Sequence, residues 1–409
     1  MKLDYKKTFI ISLGFFTVSL VWGIYNLKAP LYLKALGLSN VAVGSVMTID
    51  NFFAIVFLPI FGALSDRTRT RYGRRMPYLL IGIPLSALAF LFIPFAQHSL
   101  LLFMIVIICM NFFMSIYRSP TVALMPDVTP RPLRSKANGI INFMGGMGSV
   151  VTFVAAGFLL KINEIYPFAA VSVIMVAVVF LMYNLVREPE EIEAEGETAE
   201  SGAAGKEKGR TLSLVFLLLA IFFWFTGYNA VETFFSIYGQ EVLKVSESQT
   251  SFLFAAFSAL FLVFAIPSGI IATKLGRKRL ILAGILLMLA VFISLIFVRS
   301  IIPIYVLLGI GGVSWACINI NSYPMVVEMT ANKGIGQYTG YYYFFSMLAA
   351  IVSPILFGFL KDSIGDDILF IYASIAMVIA FFFMMLVKHG EARVESKTAF
   401  EGIEHMETK

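Results

Sequence analysis

"REPEEIEAEGETAESGAAGKEKGR", residues 187–210, interrupts an otherwise apolar chain of 409 residues. The segment is rich in Glu, Gly, Ala and Ser and has almost no apolar bulk. Such a stretch buries too little surface to offset the entropy of ordering it, so it reads as a disordered linker. The sequence on either side is its opposite. The whole chain is 59% hydrophobic and only 14% charged, with 40 Phe residues. A soluble protein of this length would carry about 25% charged residues. The solvent of this chain is therefore mostly lipid.

Working outward from the linker, apolar runs of about 20 residues mark six spans on each side. They fall near 8–36, 41–65, 77–97, 99–126, 134–160 and 166–186, then 211–239, 248–273, 278–298, 301–327, 335–360 and 367–388. The first run follows "MKLDYKK" and continues through Tyr25 and Asn26 to about Gly37. That is too long for a cleaved signal, so we expect a retained helix. Of 31 basic residues, 24 lie in segments on the side of the two termini, five on the opposite side, and Lys28 and Arg118 within spans. The asymmetry places both termini in the cytoplasm of a multi-pass cell-membrane protein. We expect an N-terminal six-helix bundle over 1–187, a cytoplasmic linker over 188–210, a C-terminal bundle over 211–388 and a cytoplasmic tail over 389–409.

The two halves repeat one another. "WGIYNLKAP" in span one answers "WFTGYNAVE" in span seven, with Tyr25-Asn26 and Tyr228-Asn229 offset by 203 residues. "GALSDRTRTRYGRR" after span two answers "GIIATKLGRKR" after span eight, and Asp127 answers Glu328 at an offset of 201. Several matches in order at nearly one offset indicate an internal duplication. Two parallel six-helix repeats around a central cavity are a transporter architecture. The fold class is thus all-α: twelve transmembrane helices in two pseudo-symmetric halves.

A charge at the centre of a membrane helix costs ~2.5–3.5 kcal/mol on insertion scales, so each is a functional candidate. Lys28, Asp50, Arg118 and Glu232 qualify. Lys28 lies toward the end of its span, from where its stem can snorkel to the interface. Asn111, Ser115, Arg118 and Val122 share a helical face by spacing, as do Tyr228, Asn229 and Glu232. Asn138 and Asn142, Trp315 and Asn319, and Gln337 and Tyr341 are further pairs four residues apart. The three histidines, His98, His389 and His405, lie outside the spans, so protons would have to be carried by a carboxylate. Cys109 and Cys317 lie in apolar runs and suggest no disulfide framework. No phosphate-binding loop is present, which argues against direct use of ATP. No cofactor, metal or nucleic-acid partner is expected.

"GALSDRTRTRYGRRMP", Gly62 to Pro77, resembles the loop between spans two and three of the major facilitator superfamily. The resemblance implies that Asp66, Arg67 and Arg74 belong to a gate on the side of the termini. The second copy has Thr273 where an Asp would stand, which puts a matching charge lock in doubt. The extended first copy is similar to that of plant sucrose transporters, their animal relatives and glycoside–pentoside–hexuronide cation symporters. "PTVALMPDVT", Pro120 to Thr129, resembles a sucrose-transporter pattern whose Asp, here Asp127, matters for proton coupling. The acid pair that serves sodium in melibiose-type symporters is replaced by Ala54 and Leu58, which favours protons.

Together these features predict a monomeric, proton-coupled symporter of a sugar or glycoside. Asn26, Arg118, Tyr228, Asn229, Glu232, Trp315 and Asn319 are the expected substrate contacts. Asp50, Asp66, Arg67, Arg74, Asp127 and Glu232 are the expected coupling or gating residues. The rivals are a proton-driven exporter of hydrophobic compounds and a non-transporting membrane sensor.

Overall fold

The computed structural model describes residues 4–129, 133–186, 207–329 and 335–389. Most of the proposed linker and tail, and the side chain of Asn138, lie outside the described residues. Among the described residues the regular structure is helical. Helices α1 (Tyr5–Ala35), α2 (Asn40–Met47), α3 (Ile49–Arg67), α4 (Met76–Phe92), α5 (Leu100–Val128), α6 (Arg134–Leu159) and α7 (Tyr166–Leu185) build the first half. Helices α8 (Glu207–Glu241), α9 (Glu247–Leu275), α10 (Arg277–Phe297), α11 (Ile301–Glu328), α12 (Ile335–Ile364) and α13 (Leu369–Leu386) build the second. Twelve segments are long and apolar enough to cross a membrane, and α2 and α3 share one of them.

The duplication is visible in the packing. Helix α4 rests on α5 and α7, and α10 rests on α11 and α13 in the same way. Likewise α3 packs on α5 as α9 packs on α11. The glycines of the two matching loops repeat too: Gly73 and Gly276 have φ of +100° and +89°. A side chain at either would strain the sharp entry into the following helix.

Polarity at the helix ends follows the usual chemistry. Asp4 caps α1 by accepting from the Lys7 amide at 3.0 Å. Ser246 and Gln249 form a reciprocal capping box at the start of α9. Span two departs from one continuous run: α2 ends at Met47, Thr48 turns, and α3 restarts at Ile49. Asp50 therefore sits in the first turn of a new helix, where the unpaired N–H groups favour a carboxylate.

An even number of crossings puts both termini on one face, here the terminal face; the other is the far face. The polar contacts described between the halves run from the middle of the bundle to the far face. Helix α2 lies along α12 there. Gly44 faces the Pro354 backbone and Gly358 faces the Asn40 backbone, so closely that a β-carbon at either would overlap. Small residues let two membrane helices approach to this distance. Asp362 then accepts hydrogen bonds from the backbone N–H groups of Asn40 and Val41, both at 3.0 Å, and from the Asn40 amide at 2.6 Å. One half thus caps a helix of the other. Farther round, the Ser248 and Ser251 hydroxyls of α9 donate to the carbonyls of Gly157 and Phe153 on α6, at 2.5 and 2.7 Å.

Candidate functional site

The central cavity, of about 180 Å³, lies where α1 meets α8. Helical spacing selects its walls. Ser19, Trp22, Gly23 and Asn26 occupy one face of α1, and Tyr228, Val231, Glu232 and Phe235 one face of α8. Helix α6 adds Ser149 and Phe153, while α9, α10 and α11 add an apolar end. The Asn26 amide of the first half donates to Oε1 of Glu232 in the second, at 3.4 Å. Tyr228, one turn earlier on α8, is a second hydrogen-bond partner of Glu232. The Trp22 Nε1 donor is buried with no hydrogen-bond partner, although its residue lines the cavity.

Trp315 does not line this cavity. It is 4% exposed and lies flat beneath the Tyr228 ring, with centroids 4.1 Å apart and planes 5° from parallel. Phe225 abuts Trp315 edge-on at 5.4 Å. The stack fixes the Tyr228 ring, so Trp315 acts through Tyr228. Asn229 donates to its own helix at the Phe225 carbonyl, 2.7 Å away, and neither Asn229 nor Asn319 is among the cavity walls. Gln337 pairs with the Tyr341 hydroxyl at 2.6 Å on an exposed face of α12.

Arg118 lines a second cavity of about 330 Å³, which adjoins the first through Ser19 and also contains Thr121, Asn142 and Gly145. Its guanidinium carbon stands 5.9 Å from the Trp22 ring centroid, within cation–π range. Asp50 lies within electrostatic reach of both Arg118 and Glu232. The polar stripe expected around Arg118 is only partly a site. Asn111 and Ser115 are buried, but they bond the Ile107 and Asn111 carbonyls of their own helix, and Val122 is 52% exposed.

Lys28 departs from the snorkelling expectation. It is 1% exposed, and its Nζ lies 2.5 Å from Glu247 of the second half and 3.7 Å from Glu164 of the first. The ammonium also sits 4.5 Å over the Tyr32 ring. Beside it, Glu241 pairs with Lys361 at 2.5 Å and approaches Lys34 at 3.9 Å. Glu241 and Glu247 lie at the facing ends of α8 and α9 and Glu164 in the loop before α7, and the sequence reading singled out none of them. Lys28 and Lys34 of the first half reach Glu247 and Glu241 of the second.

On the terminal face, Asp127 receives Arg74 through two bonds, at 2.5 and 3.1 Å, and Arg75 Nε at 2.9 Å. Arg75 also bonds Asp66 and the Ser65 hydroxyl. The basic residue that bridges both acids is therefore Arg75, while Arg67 is exposed. The doubt over a second lock is also settled by geometry. Arg277 pairs closely with Glu328, matching Arg74 and Asp127 across the repeat, and the Thr273 hydroxyl merely bonds the Ile270 carbonyl. Lys278, in the place of Arg75, donates to the Met385 and Val387 carbonyls at 3.0 and 2.6 Å and so caps α13.

The family model of the Major Facilitator Superfamily matches residues 11–247 and 240–405. The chain belongs to the major facilitator superfamily. Within it, the chain is 23% identical over 332 residues to the class H tetracycline resistance protein of Pasteurella multocida, covering 78% of each chain. It is 22% identical over 264 residues to the quinolone resistance protein NorA of Staphylococcus aureus, covering 63% of this chain and 66% of that one. Among solved structures, the nucleoside transporter NupG superposes with a TM-score of 0.72 at 15% identity, covering 93% of this chain and 99% of that one. A bacterial homolog of the human lysosomal transporter Spinster, inward-facing and occupied, gives 0.70 at 13% identity and 95% coverage of each. The chain is accordingly a multi-pass membrane transporter of small molecules, and the similarity to solved structures speaks for the fold alone.

Proposed function

We propose that this superfamily member is a proton-coupled symporter of a small hydroxylated solute, a sugar or glycoside, working by alternating access. The observation that carries the reading is the polar cluster where the halves meet. Glu232 is held by Asn26 from the opposite half, and the Trp22 and Tyr228 side chains line the same cavity. Donors and an acceptor beside the Tyr228 and Trp22 rings suit hydroxyl groups on a ring with an apolar face. The cavity at Asn26 and Glu232 is about 180 Å³, and the one at Arg118, which shares Ser19 with it, is about 330 Å³, within the ~300–1,000 Å³ typical of small-molecule sites. Glu232 and Asp50 lie in opposite halves within electrostatic reach of one another, so protonation of either alters the charge that must cross the membrane. Glu232 is assigned to solute and proton together, and Asp50 with Arg118 to coupling. The terminal face is assigned to the cytoplasm of the cell membrane from the distribution of basic residues. One chain holds a whole cavity between its own halves, so a monomer suffices.

The second reading, export of hydrophobic compounds, draws on the similarity to the tetracycline and quinolone resistance proteins and on the apolar end of the cavity. Uptake into proteoliposomes under an imposed pH gradient, with a panel of labelled mono- and disaccharides, separates the two. Gradient-driven accumulation of a sugar supports symport. Efflux of a hydrophobic dye with no sugar uptake supports export.

A further inference from the structure

Away from the central cavity, a groove of about 650 Å³ runs along the terminal-face ends of α1, α6 and α7. Its walls are Phe9, Ile10 and Leu13 of α1, Ile140 of α6, and Leu181 and Leu185 of α7. It begins at Tyr5 and Lys6, in the first turn of α1, and reaches Leu13 two turns farther in, about 10 Å along the helix axis. Phe9 is 49% exposed and Leu181 40%, so no protein covers the outer side of the groove. All three helices are membrane spans, and an open apolar surface on such spans lies against acyl chains.

Lys6 is the charged residue among the walls. Among the described residues no hydrogen bond or ion pair engages its ammonium. Asp4, the acid nearest to it in the sequence, caps α1 by accepting from the Lys7 amide. The same three helices carry further basic residues at this end. Lys7 follows on α1, Arg134 and Lys136 open α6 with Lys136 one turn before Ile140, and Arg187 stands two positions after Leu185. An apolar groove leading inward from an ammonium at the membrane boundary matches an acyl chain leading inward from a phosphate. We propose that the groove binds one anionic phospholipid of the leaflet on the terminal face. An acyl chain lies along Phe9, Leu13 and Leu181, and the headgroup phosphate meets Lys6. A zwitterionic lipid offers the same chain, but its own cation offsets the phosphate, so the lysine selects for net negative charge. The site is independent of the solute that the central cavity takes.

The test offers purified full-length protein an equal mixture of phosphatidylglycerol and phosphatidylcholine with the same acyl chains. Native mass spectrometry then counts the lipids retained as the mixture is diluted. The wild type should retain one phosphatidylglycerol in preference to phosphatidylcholine by about fivefold, the step that one lysine beside a headgroup supplies. Lys6→Gln should lower that ratio to about twofold or less. Lys274→Gln makes the same change of charge at an exposed lysine in the last turn of α9, on the same face, and should keep the wild-type ratio. Leu181→Trp, which narrows the groove from exposed α7, should remove the retained lipid of either kind. Equal retention of the two lipids by the wild type overturns the proposal. So does a ratio unchanged in Lys6→Gln, a loss in Lys274→Gln as large as that in Lys6→Gln, or a phosphatidylglycerol still retained by Leu181→Trp.

Discussion

The Glu232 carboxylate shows how far one side chain can be read. In the sequence it is an acid in an apolar run; in the structure it meets the Asn26 amide of the other half at 3.4 Å. Its roles in solute binding and coupling separate in Glu232→Gln, which keeps the shape and removes the titratable group. Gradient-driven uptake should fall to background in this variant, while exchange of solute down its own gradient at high concentration persists. Unchanged pH dependence of uptake would remove Glu232 from coupling. Trp22→Phe removes one ring of the indole together with the Nε1 donor and so trims a wall of the cavity; solute affinity should weaken severalfold. An affinity equal to wild type in a binding titration would mean that the solute does not touch Trp22. Glu232 and Arg118 were legible because lipid makes any internal charge conspicuous. Phe254 and Val291 of the cavity wall were not, because apolar side chains in a membrane helix look alike whether they face lipid, protein or solute. Asn229 carried the right chemistry, but helical spacing alone does not show that its amide bonds its own backbone.

At the scale of elements, the far face is closed by a small number of contacts between halves. Asp362 caps α2 in trans, and Lys28 joins Glu247 to the first half. Losing a helix cap costs ~0.5–2 kcal/mol. Asp362→Ala should therefore shift the population toward states open on the far face by severalfold, read as faster thiol labelling of Ser248→Cys, which is buried between α9 and α6. Labelling no faster than in the unmodified background would show that the cap does not govern closure. Lys28 is buried, but Glu247 is 28% exposed as a side chain, so solvent screens part of the pair. Lys28→Met should cost about 1–3 kcal/mol of far-face closure, and the swap Lys28→Glu with Glu247→Lys should recover part of it. A swap no better than Lys28→Met alone in the same labelling assay would show that the pair does not hold the halves together. The element boundaries were mostly legible, since hydropathy reports length and twelve spans were readable. The break at Thr48 was not, because a kink inside an apolar run changes no residue class. The lock in the second half was also hidden: Thr273 suggested a missing charge, while Arg277 had its acid on a helix about 50 residues later, at Glu328.

For the whole molecule, the repeat provides two sets of packed helices and a cavity where α1 meets α8. The matched locks of Arg74 with Asp127 and Arg277 with Glu328 tie helices within each half. The Asp362 cap, the Lys28 pair and the Asn26–Glu232 bond tie the halves to one another. Alternating access in this account keeps the first set and exchanges the second. Asp127→Asn should then reduce transport by loosening one bundle, since Arg74 loses the Asp127 charge while Arg75 keeps Asp66, and solute affinity at the cavity should stay within a few-fold of wild type. A loss of affinity as large as that of Glu232→Gln would place Asp127 in the binding step instead. The superfamily architecture was readable from composition, linker and repeat. The solute was not, because specificity lies in the mutual positions of side chains from six helices.

The most direct measurement is uptake of labelled sugars and glycosides by proteoliposomes holding the wild-type protein, with and without an inward proton gradient, beside liposomes holding Glu232→Gln. The account predicts accumulation above the external concentration only with the gradient, collapse of that accumulation by a protonophore, and none in Glu232→Gln. Absence of gradient-driven uptake for every sugar tested, together with gradient-driven expulsion of a hydrophobic dye, would contradict it.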